Sequence, residues 1–379
     1  MLMDRLFLLM KEKGASDLFL AANSPVHVKI NGNLLPVNQQ KMDAQNVIAL
    51  LAEVVPAADM QVLEQTNELN IGIPVTGVGR FRLSAFRQRG SISAVFRFVP
   101  YTIPVLNTLS LPPVLSELIM EKRGLILIVG STGSGKSTTI ASMLDHRNEM
   151  RSGHILTIED PIEYLFNNKK SIVNQREIGT DANSLEIALK NSLRQAPDCI
   201  LIGEIRDKDT MSAAIAYAQS GHLVVATLHA SNSYQALNRI ISFFPLENRN
   251  ALLLDLSSTL RAIISQRLLQ TKSGQRTPAV EIMLNTRHIG ELIEKGEISQ
   301  IKEAIEKSLS PGSQTFELAL IQMIKDGLIS KDEALSHADS ATNLLWLLNN
   351  NEKSSKLFQP ETPAQRHDEP SFTEFTLDP

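Results

Sequence analysis

The chain is poor in cysteine, in aromatic residues and in long apolar runs. One cysteine, Cys199, stands among 379 residues. That count excludes an intrachain disulfide and a multi-cysteine zinc site, and it points to a cytosolic address. Cys199 lies in an apolar run and reads as a small buried strand residue. No apolar run approaches the ~18 residues that a membrane-crossing helix needs. The first thirteen residues contain a short apolar run, but Asp4 interrupts them and no small-residue cleavage site follows. They read as an amphipathic helix with Leu2, Leu6, Leu9 and Met10 on one face. Excess positive charge is missing too. The 37 Lys and Arg against 41 Asp and Glu leave a net charge of −4. A nucleic-acid motor would show a basic stripe, so no nucleic-acid partner is expected.

The composition is that of a globular protein, 43% hydrophobic and 21% charged. The length exceeds one ordinary core, so two domains are expected. Over residues 1–99 strands and helices come in separate runs, an α+β pattern. Strands are expected at 16–20, 26–30, 69–75, 79–87 and 91–99, with helices at 43–55 and 57–66. Asn31-Gly32-Asn33 marks a hairpin turn. Four prolines between 100 and 113 mark a linker. From 114 to 349 strands alternate with helices, the pattern of a parallel sheet with crossover helices. Its expected strands are 125–129, 154–158, 199–202 and 223–227, and its expected helices include 184–194 and 209–220. After Pro245 helix is expected at 249–269 and again at 289–347. The polar residues 350–379 are expected to be a disordered tail. The fold class is therefore α/β.

Gly130-Ser131-Thr132-Gly133-Ser134-Gly135-Lys136-Ser137 organises the second part. An apolar strand precedes it, and Thr138 opens a helical run after it. Strand, glycine-rich loop and helix form a phosphate-binding loop. The glycines let successive backbone N–H groups turn toward phosphate oxygens, and the helix offers its electropositive end to the same anion. Lys136 is expected on the β- and γ-phosphates and Ser137 on Mg²⁺, which makes ATP and Mg²⁺ the expected ligands.

Hydrolysis also needs carboxylates. Glu159, Asp160 and Glu163 follow the strand at 154–158, where residues leave the carboxyl end of a parallel sheet. Their alternative role is to cap a helix in a surface turn. Ile200-Leu201-Ile202-Gly203-Glu204 is an apolar strand ending in an acid, the logic of a Walker B strand with Gly-Glu in place of the usual Asp. Glu204 would reach Mg²⁺ through water, and Glu159 is a weaker candidate for the metal. Arg206 and Asp207 could form a local ion pair. His222 and His229 bracket the strand at 223–227 and are either structural or sensors of the γ-phosphate. Arg80 and Arg82 alternate onto one strand face. With Arg97, they are either a solvated basic surface or arginine fingers for a bound triphosphate, including a neighbouring subunit's.

These residues resemble the type IV pilus retraction ATPases, the PilT/PilU group of the secretion ATPase superfamily. The resemblance runs from Gly14 to about Leu347. Glu159-Asp160-Pro161-Ile162-Glu163-Tyr164 resembles the family's Asp box, whose last acid, Glu163, is taken as the catalytic base. Leu193 to Asp198 with Ile202 to Arg206 resembles its Walker B, and Gly221 to Ala230 its His box. Gly79 to Arg82 and Phe96-Arg97 resemble segments that supply arginines to nucleotide across domains or subunits. The resemblance implies a PAS-like N-terminal domain and a RecA-like ATPase domain. It also implies a hexameric ring on the cytoplasmic face of the inner membrane, against a pilus platform protein, that removes pilin from the fibre in twitching motility.

The chain departs from PilT at one helix. PilT carries Ala-Ile-Arg-Asn-Leu-Ile-Arg-Glu, needed for retraction. Here Arg287-His288-Ile289-Gly290-Glu291-Leu292-Ile293-Glu294-Lys295 keeps the apolar spacing and loses both arginines. Lys302 to Ala304 and Gln314 to Phe316 resemble the PilU branch more. The expected function is an accessory retraction ATPase beside a PilT-like partner. The alternative is a nucleotide-gated regulatory or scaffolding subunit. An assembly ATPase would usually carry a four-cysteine zinc insertion, and a GTPase would need an Asp after Asn168-Lys169-Lys170, where Ser171 stands.

Overall fold

A computed structural model describes residues 1–30, 32–99 and 102–357, with side chains up to residue 350. Asn31 of the expected hairpin turn, the start of the expected linker and residues 358–379 of the expected tail lie outside the described residues. The chain divides into two compact units. One contains Met1–Leu268 and Arg276–Thr315, and the other joins Leu269–Gln275 to the chain from Phe316 onward.

The first unit carries two sheets. Its N-terminal elements are α1 (Leu2–Lys13), β1 (Asp17–Ala21), β2 (His27–Ile30), β3 (Asn33–Pro36), α2 (Ala44–Ala52), α3 (Ala57–Thr66), β4 (Glu68–Val75), β5 (Gly79–Gln88) and β6 (Ser91–Val99). The six strands pair in the order β3-β2-β1-β6-β5-β4, antiparallel throughout. Period-two alternation on β5 sends Phe81, Leu83 and Ala85 into the core and leaves Arg80 and Arg82 on the opposite face. Helix α1 packs Met3, Leu6, Phe7 and Met10 inward, with Phe7 stacked on Phe81 at 4.0 Å between ring centroids. The expected face is thus turned: Leu2 is 51% exposed, because Met3 and Phe7 extend the stripe in the other direction. Asp43 starts α2 with a reciprocal cap, accepting from the Asn46 amide while the Asn46 side chain accepts from its own.

After α4 (Val114–Leu118) comes the second sheet with its helices. The elements are β7 (Gly124–Val129), α5 (Lys136–Met150), β8 (Gly153–Glu159), β9 (Ser171–Glu177), α6 (Leu185–Ser192), β10 (Cys199–Ile202), α7 (Lys208–Gln219), β11 (Leu223–Leu228), α8 (Ser233–Ser242), α9 (Arg249–Thr259), β12 (Leu260–Gln270), β13 (Arg276–Leu284), α10 (Arg287–Lys295) and α11 (Ile301–Glu306). The order is β13-β12-β7-β11-β10-β8-β9, parallel from β12 to β9. Strands β7 and β10 are wholly buried, as parallel strands covered on both faces are. Three corrections arise here. Residues 260–269 form a strand beside β7, not the end of a helix. Strands β9 and β13, at the two edges of the sheet, are elements the sequence pattern leaves out.

The second unit consists of α12 (Phe316–Lys325), α13 (Lys331–His337) and α14 (Ala341–Leu357), with the turn at 269–275. The Lys272 amide donates to Leu328 O at 2.9 Å, and the Gln270 amide to Glu333 Oε1 at 2.7 Å. Helix α14 runs past residue 350, the expected start of the tail.

Candidate nucleotide site

Strand β7 ends at Val129, and the chain curls through Gly130–Gly135 before α5 begins at Lys136. Gly133 and Gly135 hold φ of 80° and 89°, which side-chain-bearing residues rarely adopt. At Gly130 the constraint is space as well. A Cβ there would stand 2.6 Å from the backbone oxygen of Gln266 and 2.5 Å from Ser134 Oγ. Gln266 on β12 is buried, and its Oε1 accepts from Thr139 Oγ1 at 2.8 Å. It therefore backs the loop and the first turn of α5 together. Sequence reading misses Gln266, since it sits in the strand taken for helix. Lys136 Nζ donates to the carbonyls of Gly130 at 2.8 Å and Ser131 at 2.9 Å. Burial lowers its pKa, and the charge of Glu204 acts against that shift.

The acids emerge beside the loop, as the parallel order requires. Glu159 closes β8 and is only 8% exposed. Its Oε1 accepts from Thr157 Oγ1 at 2.7 Å and from Gln175 Nε2 at 3.3 Å, and its Oε2 from the Glu163 amide at 3.4 Å. Burial raises its pKa, and these hydrogen bonds pull it partly back. The Asp160–Pro161 bond is cis. Beyond it Glu163 is half-exposed and pairs with Arg82 at 3.0 Å. Tyr164 Oη meets Thr138 Oγ1 at 2.8 Å and so joins this turn to α5.

Glu204 follows β10. Its Oε2 accepts from Arg206 Nε at 2.6 Å, and its Oε1 lies 3.2 Å from His229 Nε2. Arg206 reaches on to Asp160 at 3.4 Å. Asp207 is not its partner in this arrangement: Asp207 caps α7 by accepting from the Thr210 amide at 2.8 Å. Gly203 lets the ends of β8 and β10 meet, since a Cβ there would lie 3.2 Å from both Glu159 Cα and Ile158 O. Thr227 Oγ1 donates to Gly203 O and ties in the end of β11.

A cleft of about 810 Å³ lies over these strand ends. Thr132, Gly133, Gly135, Lys136, Ser137 and Thr138 line it, together with Glu159, Glu163, Glu204, His229 and Arg97. Ser134 is buried behind the loop. Gly130, Ser131, Arg80 and Arg82 do not line it, and His222 lies farther off. It precedes β11, whose other end faces the cleft, and its Nδ1 lies 3.2 Å from Tyr217 O. At ~3.3 Å per residue it stands on the order of 20 Å from His229, so the two histidines do not act together on one phosphate.

Three arginines of the first sheet are engaged within the chain. Arg80 pairs with Glu177 at 3.0 Å, Arg82 with Glu163, and Arg97 with Asp17 at 2.8 Å. Among the described residues, no three His, Cys, Asp or Glu side chains cluster as a metal site. Mg²⁺ brought by a nucleotide needs no such cage, since phosphate oxygens and a hydroxyl supply its ligands. The glycine cradle, a lysine within it, an exposed Ser137 and facing carboxylates fit a magnesium nucleotide.

Comparison with known proteins finds relatives along most of the chain. The family model described as "Type II/IV secretion system protein" matches residues 2–335. The type IV pilus ATPase PilU of Pseudomonas aeruginosa is 44% identical over 346 residues, 91% of each chain. The type IV pilus retraction ATPase PilT of the same organism is 38% identical over 332 residues, 88% of this chain and 96% of that one. The crystal structure of the pilus retraction motor PilT with bound ADP superposes with a TM-score of 0.84 at 39% identity, covering 89% of this chain and 97% of that one.

Proposed function

The chain belongs to the type II/IV secretion system protein family, and on that premise we propose that it is an ATP-hydrolysing motor of type IV pilus retraction. The observation that carries this is the convergence of the phosphate loop, Glu159, Glu163, Glu204 and His229 on one cleft. In this reading the N–H groups of 130–138 and the Lys136 ammonium hold the phosphates of ATP. Ser137 would hold Mg²⁺, helped by Glu204 and more weakly by Glu159. Bound Mg²⁺ neutralises charge that develops on the phosphates. Glu163 takes the proton of the attacking water. His229, held against Glu204, is the sensor of the γ-phosphate.

The N-terminal domain, 1–99, is PAS-like and the domain 114–349 RecA-like, with 100–113 as linker. The assembly is a hexamer on the cytoplasmic face of the inner membrane, with a pilus platform protein as its partner. Paired variants test the site. Lys136→Ala should lower phosphate release at least 10²-fold and weaken nucleotide binding, since removing one fixed donor costs about that much. Glu163→Gln should keep ATP binding and lose roughly 10²- to 10⁴-fold in turnover. Turnover near the wild-type rate in Glu163→Gln would move the base elsewhere, with Glu159 next.

Helix α10 favours the accessory form of this function. Its buried side is Ile289, Leu292 and Ile293, and its outer side carries Arg287 paired with Glu291 at 3.0 Å. Glutamates at 291 and 294 cannot make the bidentate contacts of arginine and carry the opposite charge. An intact ATP site beside an altered coupling helix suits a motor that adds force next to a PilT-like ring. Purified protein should hydrolyse ATP by itself, while cells deleted for the PilT-like partner should not retract pili. Normal retraction in those cells would make this a self-sufficient motor. No phosphate release from the purified protein would favour the regulatory subunit instead.

A further inference from the structure

The turn between β8 and β9 carries Glu163, and two residues of β9 hold it from opposite sides. Gln175 uses both ends of its amide. Its Nε2 donates to Tyr164 O at 2.8 Å and to Glu159 Oε1 at 3.3 Å, while its Oε1 accepts from the Phe166 amide at 2.9 Å. Two residues on, and so on the same strand face, Glu177 Oε2 accepts from the Ile162 amide at 3.1 Å. Glu163 therefore sits between one backbone anchor at Ile162 and another at Tyr164. Tyr164 in turn meets Thr138, the neighbour of Ser137.

We infer that Gln175 is a positioning residue for ATP hydrolysis, holding the turn so that Glu163 stands over the cleft. It lines none of the cleft, so it acts through the turn rather than on nucleotide. Its strand pairs with β8 through the backbone, which its side chain does not supply. The side-chain hydrogen bonds of Gln175 go to Glu159, Tyr164 and Phe166. A reacting group misplaced by about 1 Å can cost on the order of 10²-fold in rate, whereas the phosphate loop on α5 is built from other residues. The assignment rests on the reading of Glu163 as the base.

The test is Gln175→Met in the full chain, close in volume and without polar atoms, with phosphate release followed against ATP concentration. The expected result is a kcat lowered about tenfold or more, with KM for ATP and ADP affinity within about twofold of wild type. Adding Gln175→Met to Glu163→Gln should cost little further, since both act on one group. An unchanged kcat, or a loss that appears equally in ADP binding, overturns the assignment. Should Gln175→Met fail to fold, Gln175→Asn keeps the amide but falls one methylene short of the turn, and the same kcat loss is expected. The two readings fail separately. Wild-type turnover in Glu163→Gln removes the base, and wild-type turnover in Gln175→Met removes only the positioning role.

Discussion

Glu159 and Glu163 are four residues apart and differ in what surrounds them. Glu159 lies at the cleft wall nearly buried, with its carboxylate engaged by Thr157 and Gln175, and Glu163 stands more open to the cleft and faces Arg82. The more exposed acid is the better placed to meet a water over the cleft, and the nearly buried one shapes the turn. Burial holds the Glu159 carboxyl above the ordinary carboxylate range. A group so raised binds its proton more tightly in the folded chain than in the unfolded one. Its favourable contribution is present at acid pH and is lost as pH rises through the folded value. Glu159→Gln removes that dependence while keeping an oxygen for Thr157 and Gln175, and it gives up only the long contact of 3.4 Å from the Glu163 amide. The variant should therefore gain thermal stability relative to wild type at pH 8, and gain less at pH 5. Equal shifts at both pH values would mean that Glu159 titrates as an exposed acid. Most of this residue-scale chemistry is legible in the sequence, because phosphate loops and strand-end acids are local patterns. Gln175, Glu177 and Gln266 are not, since each matters only through a partner that the chain fold brings to it.

Elements show the same division between local and distant causes. Helix α2 is legible to its first residue because Asp43 and Asn46 close a cap that depends on four neighbours. Asp43→Ala should cost about 1 kcal/mol in chemical denaturation, while Asp43→Asn should recover most of it. Equal losses in both would assign the effect to charge rather than capping. Strand β12 is the opposite case. Leu260, Arg261, Ala262, Gln266 and Arg267 are good helix formers, and no glycine or proline separates them from α9. Only the vacant edge of β7 makes them a strand, with an irregular step between Leu260 and Ala262. Strand β9 is polar after Val173, so its sequence offers little contrast with a loop. Its one signal is the β-branched pair Ile172-Val173 between Lys170 and Gly179. In α1 the period is legible and the phase is not, since the stripe of Met3, Leu6, Phe7 and Met10 competes with a second stripe of leucines.

At the scale of the whole molecule, ring formation is the open question that solution measurements can answer. If the arginines of the first sheet serve a neighbour's nucleotide, specific activity should rise with protein concentration. Mixing Arg82→Ala with Lys136→Ala should then restore some activity, because mixed rings regain some intact interfaces. Activity independent of concentration, with no recovery on mixing, would assign Arg82 to its own chain's Glu163. The two grips of β5, one on the end of β9 and one on the turn before it, also differ in depth. Glu177, held by Arg80, has a side chain 5% exposed, whereas Glu163, held by Arg82, is 46% exposed. The two arginines stand about 7 Å apart along one strand. A load tilting the first sheet away from the second would peel the shallow pair first, with the deep pair serving as fulcrum. The N-terminal sheet would then act as a lever whose yielding contact is the one on Glu163.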